Sequence, residues 1–403
     1  MLIACEEILS IEEVNMEQVR YGIIGIGNMG TGHANYLSAG KIEGAVLTAV
    51  CDIRKQRLDW AEETLPKDVA IYDDYKKLLT SGLCDAVIIA TPHYLHPVIG
   101  MEAFEAGLHV LSEKPIGVYT KKIVEFMEAA KKSGKAFGIM YNQRTNPHYQ
   151  KMREMVQSGE LGELKRCVWI ITDWYRSQAY YNSGGWRATW SGEGGGVLLN
   201  QCPHNLDLWQ WIFGMPNKIR AYCAFGKYHD IEVDDDVTAY AEYPNGATGV
   251  FITTTGEAPG TNRLEISGSK GKLVYEAGKL MYTKLDVDER EFCYSTTQGF
   301  GLPPMSTTQI ECEGHGKQHE GITQNFTNHL LHGEPLLAPG YEGINGLSLS
   351  NAMMLSTWKD KTVELPNDGE EFWEELQKRI ASSRSKENVV EAVADLSGTY
   401  GNK

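Results

Sequence analysis

The chain has 403 residues, 42% of them hydrophobic and 23% charged, with a formal net charge of −15. That length accommodates two domains with ample core, and the composition is that of an ordinary globular protein. The acidic balance argues against a nucleic-acid surface or an anionic membrane as partner.

Eight cysteines are scattered without a C-x-x-C pair. That excludes a zinc ribbon or a disulfide framework and points to reduced thiols. No apolar run approaches the roughly 18 residues that span a bilayer, and the acidic N-terminus lacks a secretory layout. The expected localisation is cytoplasmic. Residues 1–18 read as an N-terminal extension, with Met16 the natural start.

Residues 21–24 read as a short buried strand that runs into Gly25-Ile26-Gly27-Asn28-Met29-Gly30 and then a helix through Leu37. A second strand over 46–51 ends in Asp52. Strand, G-x-G-x-x-G, helix and an acidic residue about 20 positions on make up the dinucleotide fingerprint. The glycines permit a tight turn and close approach to a pyrophosphate, whose charge sits on the helix N-terminus. Asp52 would accept from ribose hydroxyls and repel a 2′-phosphate, which favours NAD over NADP, although Arg54 lies close by.

The alternation continues with a helix over 54–64, a strand over 69–72 and a helix opened by Asp73 as N-cap. The apolar strand 84–90 ends in Ala90-Thr91-Pro92-His93-Tyr94-Leu95-His96, and a helix (96–106) follows. Strand 108–111 ends in Ser112-Glu113-Lys114-Pro115. Strand ends in a doubly wound sheet are where ligands bind. Helix 120–133 and strand 136–141 lead to Asn142-Gln143-Arg144, and the nucleotide domain is assigned to 19–145.

From 146 to 403 a substrate-binding and oligomerisation domain is expected, an α+β unit on a mostly antiparallel open sheet. Alternating stretches at 164–172, 218–227, 237–243, 248–255, 263–267 and 272–275 read as strands, with Tyr243-Pro244-Asn245-Gly246 a turn between two of them. Helices are expected over 197–213, 321–331 and 341–357. Residues 295–316 read as a long loop, a lid or oligomer arm, and Asp234-Asp235-Asp236 as a solvated strand start. His315, His319, His329 and His332 fit no zinc spacing, so no metal is expected and a loop plus helix face is the better reading.

Within Gly194-Gly195-Gly196 and the run that follows, Asn200, His204 and Asp207 are spaced to share one face of a continuous helix. Pro203 either removes one hydrogen bond from that helix or marks the first turn of one starting near Cys202. In the second case Asn200 belongs to a loop. The aromatic stretch Trp169, Trp174, Tyr175, Tyr180, Tyr181, Trp186 and Trp190, with Arg176 and Arg187, suits a sugar ring. Trp174, Arg176, Asn200 and His204 are the expected substrate contacts.

Taken together, these motifs resemble the glucose–fructose oxidoreductase/inositol dehydrogenase (Gfo/Idh/MocA) family. The matching residues are Gly25, Gly27, Gly30, Asp52, Ala90-Thr91-Pro92 with His96, Glu113-Lys114-Pro115, Asn142 with Arg144, Trp186-Arg187, and Gly195-Gly196 followed by His204 and Asp207. The resemblance implies a Rossmann domain followed by an open-sheet domain, NAD(P)-linked oxidation or reduction of sugars and polyols, and a dimer or tetramer. It implies that Lys114 contacts the reacting hydroxyl and that His204 is the general base. It also implies that Asn142, Trp186 and Arg187 lie by the cofactor, with His93 where asparagine is common. Many members carry aspartate at the position of Asn200; without it, His204 acts alone or with Asp207. The expected function is NAD-dependent oxidation of a secondary hydroxyl of a sugar, glycoside or cyclitol. The alternatives are a glycosidase working by transient C3 oxidation and a non-catalytic NAD-sensing regulator.

Overall fold

A computed structural model describes residues 17–384 together with 386 and 389. The expected N-terminal extension therefore falls almost wholly outside the described residues.

The first layer comprises β1 (Val19–Ile24), α1 (Asn28–Ser38), β2 (Ala45–Cys51), α2 (Lys55–Thr64), β3 (Ala70–Tyr72), α3 (Tyr75–Leu79), β4 (Ala86–Ile89), α4 (Leu95–Glu105), β5 (His109–Ser112), α5 (Thr120–Ser133) and β6 (Phe137–Ile139). Its six strands run parallel in the order β3-β2-β1-β4-β5-β6. Helices cover both faces, so β4 is an unbroken apolar run with Ala86, Val87, Ile88 and Ile89 all fully buried, as a doubly wound sheet demands. The strand order reverses between β1 and β4, which opens the ligand crevice over their carboxyl ends.

The chain continues through α6 (Pro147–Gln157), β7 (Leu164–Ile171), α7 (Gln178–Asn182), α8 (Pro203–Phe213), β8 (Lys218–Phe225), β9 (Asp234–Glu242), β10 (Thr248–Thr254), β11 (Asn262–Gly268), β12 (Gly271–Glu276) and β13 (Lys279–Leu285). It closes with α9 (Glu289–Ser295), β14 (Met305–Ile310), α10 (Gln318–His332), α11 (Gly343–Lys359), β15 (Val363–Glu364) and α12 (Glu370–Ala381). The nine strands are ordered β14-β13-β12-β11-β7-β10-β9-β8-β15, antiparallel except for β7 with β10. One face packs on α8 and α11 and the other is open, which produces the alternation along β7 (Cys167, Trp169 and Ile171 buried, Val168 and Ile170 half-covered).

The N-cap of α3 is Asp74 rather than Asp73, its side chain accepting the Lys76 N–H at 2.9 Å, and three expectations about the second domain are also corrected. Residues 305–310 are an edge strand paired with β13, not part of a loop; its Thr and Ser side chains face solvent, so it lacks the apolar alternation that reveals a strand. Asp234 and Asp235 are fully buried rather than solvated. Their carboxylates are saturated by backbone donors: Gly196 and Leu198 for Asp234, and Lys227, Tyr228 and His229 for Asp235. The third concerns the helix that carries His204. It begins at Pro203, whose missing N–H costs nothing in a first helical turn, and residues 196–202 form a tight turn instead. Strand β13 and helices α9 and α12 were not anticipated.

α10 packs back onto the nucleotide layer. Tyr21 and Thr327 hydroxyls are 2.9 Å apart in the core, and Pro339 bridges to Gly138 on β6.

Candidate active site

The glycine-rich turn between β1 and α1 is built for close approach. Gly25 sits at φ +89°, a left-handed conformation that only glycine adopts cheaply, and a Cβ on Gly30 would lie 1.8 Å from the Gly25 carbonyl. α1 has no side-chain cap at its N-terminus, and a helix start of this kind, at Gly27 and Asn28, suits an anion. Asp52, at the end of β2, accepts from the Ile26 N–H at 3.0 Å and the Arg54 N–H at 2.9 Å. Its remaining lone pairs stay available to ribose hydroxyls. Arg54 is half exposed beside Gly27. The carbonyl of Ala90 and the methyl of Thr91 close the other side of the turn. These features fit NAD: a cradle that a Cβ would fill, a helix start without a side-chain cap and a carboxylate at the second strand end.

Glu113 and Lys114 follow β5. Glu113 is buried, with one oxygen 2.7 Å from Nε2 of His33 on α1 and the other accepting the Lys114 N–H at 3.1 Å. Burial alone would raise its pKa, but the His33 hydrogen bond and charge outweigh this and bring it down to about 2. His33 in turn meets the Tyr36 hydroxyl, which meets Thr323 on α10. Glu113 thus fixes the backbone of Lys114 rather than pointing into the crevice. His96 is likewise structural in its bonding, since both ring nitrogens lie 2.7 Å from carbonyl oxygens, those of Pro115 and Thr91.

Lys114 Nζ donates to the backbone carbonyl of Asn200 at 3.2 Å. Burial draws its pKa down, with the carboxylates of Glu113 and Glu193 opposing. His204 is 4% exposed, and neither ring nitrogen has a hydrogen-bond partner. Burial first, then the charges of Lys114 and His319, hold its pKa well below 6.5. The imidazole is therefore neutral at neutral pH and free to accept a proton. His319, one of the late histidines, is buried against His33. Among the described residues no group of His, Cys, Asp and Glu is arranged to hold a metal.

Asp207 does not assist His204. Its carboxylate takes both Arg144 Nε (2.8 Å) and Nη2 (2.6 Å) in a bidentate pair, and Arg144 also reaches Glu342. On α8 it lies three residues from His204, but its charge is spent on the connector at 142–145.

Asn200 arrives on the turn, its N–H bonded to the Gly196 carbonyl at 2.9 Å. Its amide Nδ2 donates to Glu193 Oε1. Glu193, buried and not anticipated, also accepts from the Ala188 N–H and lies 3.6 Å from Arg187 Nη1. The only sequence cue was a carboxylate set among glycines. Tyr180 joins this group, with its hydroxyl accepting from Arg187 at 2.8 Å and Gln201 at 3.1 Å.

His93 sits between the domains, with Nδ1 at 3.3 Å from the Glu193 carbonyl and its ring edge-on to Trp186. Asn142 donates to Gln318 Oε1 at 2.7 Å, which leaves its own buried Oδ1 unpartnered. Of the aromatic stretch, Trp169, Tyr181 and Trp190 are core residues, whereas Trp174 and Tyr180 are partly buried, with the Arg176 guanidinium carbon 5.5 and 5.2 Å from their ring centres.

A nucleotide fold whose strand ends deliver a lysine to a buried, unpartnered histidine defines an NAD-linked oxidoreductase. Residues 19–141 match the oxidoreductase family with NAD-binding Rossmann fold, and residues 149–274 match the GFO/IDH/MocA C-terminal domain. The chain belongs to the Gfo/Idh/MocA family. It is similar to myo-inositol 2-dehydrogenase of Thermotoga maritima, at 26% identity over 355 residues, 86% of this chain and 98% of the relative. It is also similar to the α-N-acetylgalactosaminidase of Shewanella oneidensis, at 27% identity over 48% of this chain and 44% of that protein. Among solved structures, the WlbA dehydrogenase from Chromobacterium violaceum in complex with NADH and UDP-GlcNAcA superposes with a TM-score of 0.74 at 27% identity, covering 87% of this chain and 96% of the other. No helix among the described residues is long and apolar enough to cross a membrane.

Proposed function

We propose that this protein oxidises a secondary hydroxyl of a sugar, glycoside or cyclitol with NAD. The observation that carries the reading is His204, a buried imidazole with two unpartnered nitrogens beside an ammonium. A buried polar ring without partners is expensive unless a ligand satisfies it. One of its nitrogens takes the hydroxyl proton. Lys114 stabilises the developing alkoxide, a charge that exists only as the reaction proceeds. Bound at Gly25–Gly30, Asp52, Asn142 and the Trp186–Arg187 edge, NAD supplies the acceptor for the hydride leaving the same carbon. Loss of that proton and hydride gives the ketone. Asp52 supports NAD over NADP.

The half-covered open face of the nine-stranded sheet, with Val168, Ile170, Val250 and Ile252 and the exposed rings of Tyr222 and Tyr240, supports assembly as a homo-oligomer.

A screen of inositols, aldoses and glycosides with NAD and NADP in parallel tests the reading. NADH formation with NAD preferred is expected. Glycoside cleavage without net NADH would replace it by the transient-oxidation glycosidase, and tight NAD binding with no turnover of any kind would favour the regulator.

A further inference from the structure

In a chain with 53 acidic and 38 basic side chains, four basic residues gather at the crevice. Lys114, Arg176, Arg187 and Lys386 are those residues; Glu193 pairs with Arg187 at 3.6 Å, Glu113 acts on Lys114, and Asp230 and Glu232 act on Lys386. On Lys114 burial acts first, then Glu113 and Glu193 in the opposite sense, and then the charges of Arg187 and Arg176. The two guanidinium carbons lie 4.5 and 5.2 Å from the Tyr180 ring centre. Like charges gathered at a partly desolvated site repel and need a counter-ion.

Among the described residues Lys114, Lys386 and Arg176 all lack an ion-pair partner, and of these three Arg176 carries the planar guanidinium fork. None of the ion pairs among the described residues involves it, and its Nη1 is used by the Tyr175 carbonyl at 2.9 Å. Its buried Nε has no partner, and neither has the indole N–H of Trp174 alongside. The backbone of Arg176 is fixed at both ends. Its N–H donates to Thr255 at 2.9 Å, and its carbonyl accepts from His229 Nε2 at 2.8 Å, with His229 Nδ1 held by buried Asp235. A guanidinium so anchored, with its Nε/Nη2 edge free, is a fork matched to two oxygens of one carboxylate. Arg176 stands in the second domain, apart from the glycine-rich turn expected to hold the cofactor pyrophosphate.

We propose that the substrate carries a carboxylate and that Arg176 is the residue that selects it, so that the oxidised molecule is a sugar acid of the uronate class, free or as a glycoside. This rests on the oxidoreductase reading above and narrows it.

The test uses the full-length protein with NAD and compares glucuronate and galacturonate, free and as methyl glycosides, with the neutral sugars and the 6-phosphates. Uronates are expected to show kcat/KM at least about tenfold above their neutral counterparts, from one charge-assisted bidentate contact. Arg176→Gln should raise the uronate KM by about 10- to 100-fold, while NAD affinity, read by nucleotide fluorescence, stays put. Arg176→Lys should fall between, since the charge survives without the fork. Equal rates for neutral sugars, a preference for phosphates, or loss of NAD affinity in Arg176→Gln would overturn the proposal. If no sugar yields NADH, the dehydrogenase reading fails separately. Calorimetry on the NAD-loaded protein still decides the anion, with glucuronate binding in preference to glucose expected and no difference refuting it.

Discussion

The side chain of Asn200 donates to Glu193, so the buried carboxylate near Lys114 comes from residue 193 and an amide stands at 200. An aspartate at 200 would set two carboxylates against each other in a desolvated site, where one must take up a proton. Asn200→Asp is therefore expected to lower kcat and depress thermal stability, both more strongly at high pH than at low pH. Equal or higher turnover across the pH range would contradict this account.

Removing either member of the proposed Lys114–His204 pair should separate chemistry from binding. Lys114→Met is expected to cost about 10²–10³ in kcat and His204→Ala about 10²–10⁴, with NAD affinity little changed. Because burial keeps the His204 pKa well below 6.5, its ring stays neutral as pH falls through that value. The acid limb of kcat/KM should accordingly lie below pH 6.5, and a pH–rate profile checks it.

Asp207 and Arg144 are each 1% exposed and bind bidentately. Asp207→Asn leaves a buried guanidinium short of its counter-charge and should cost about 3–5 kcal/mol in unfolding free energy. A denaturation midpoint measures this. A change confined to kcat, with no loss of stability, would instead give Asp207 a catalytic part.

His109 shows how pH reaches the fold away from the site. Its Nδ1 accepts the Ala136 N–H at 2.9 Å, and burial brings its pKa down to about 4. The unfolded chain binds that proton first, so stability present above pH 6.5 is lost as pH falls toward 4. His109→Asn, whose Oδ1 can accept the same N–H without titrating, should flatten the melting temperature against pH over that window.

The nucleotide layer was legible in the sequence because its signals are local: apolar runs, glycines at fixed spacing and an acid at a strand end. Lys114 and His204 stood out as candidates through their neighbours in the chain, and the fold buries both on the crevice side. Glu193 and Asp234 did not stand out, because their roles depend on partners brought by the fold. The amides that saturate Asp234 lie 36 and 38 positions away. A run of three aspartates reads as surface until those donors are known. Likewise the spacing of Asn200 to His204 mimicked a helix, and only the turn preceding Pro203 separates them. Strand β14 escaped notice because an edge strand with both faces wet has no hydrophobic alternation to read.

The return of α10 to the nucleotide layer means that the boundary in sequence is not a boundary in space. A fragment ending at residue 145 would keep every glycine of the cofactor turn yet strip Tyr21 of Thr327, Tyr36 of Thr323 and Phe137 of the Gly340 backbone that packs on its ring. The two halves cannot be exchanged between relatives as cassettes by cutting at that point. A swap that preserves the nucleotide layer must carry the segment around 318–340 with it.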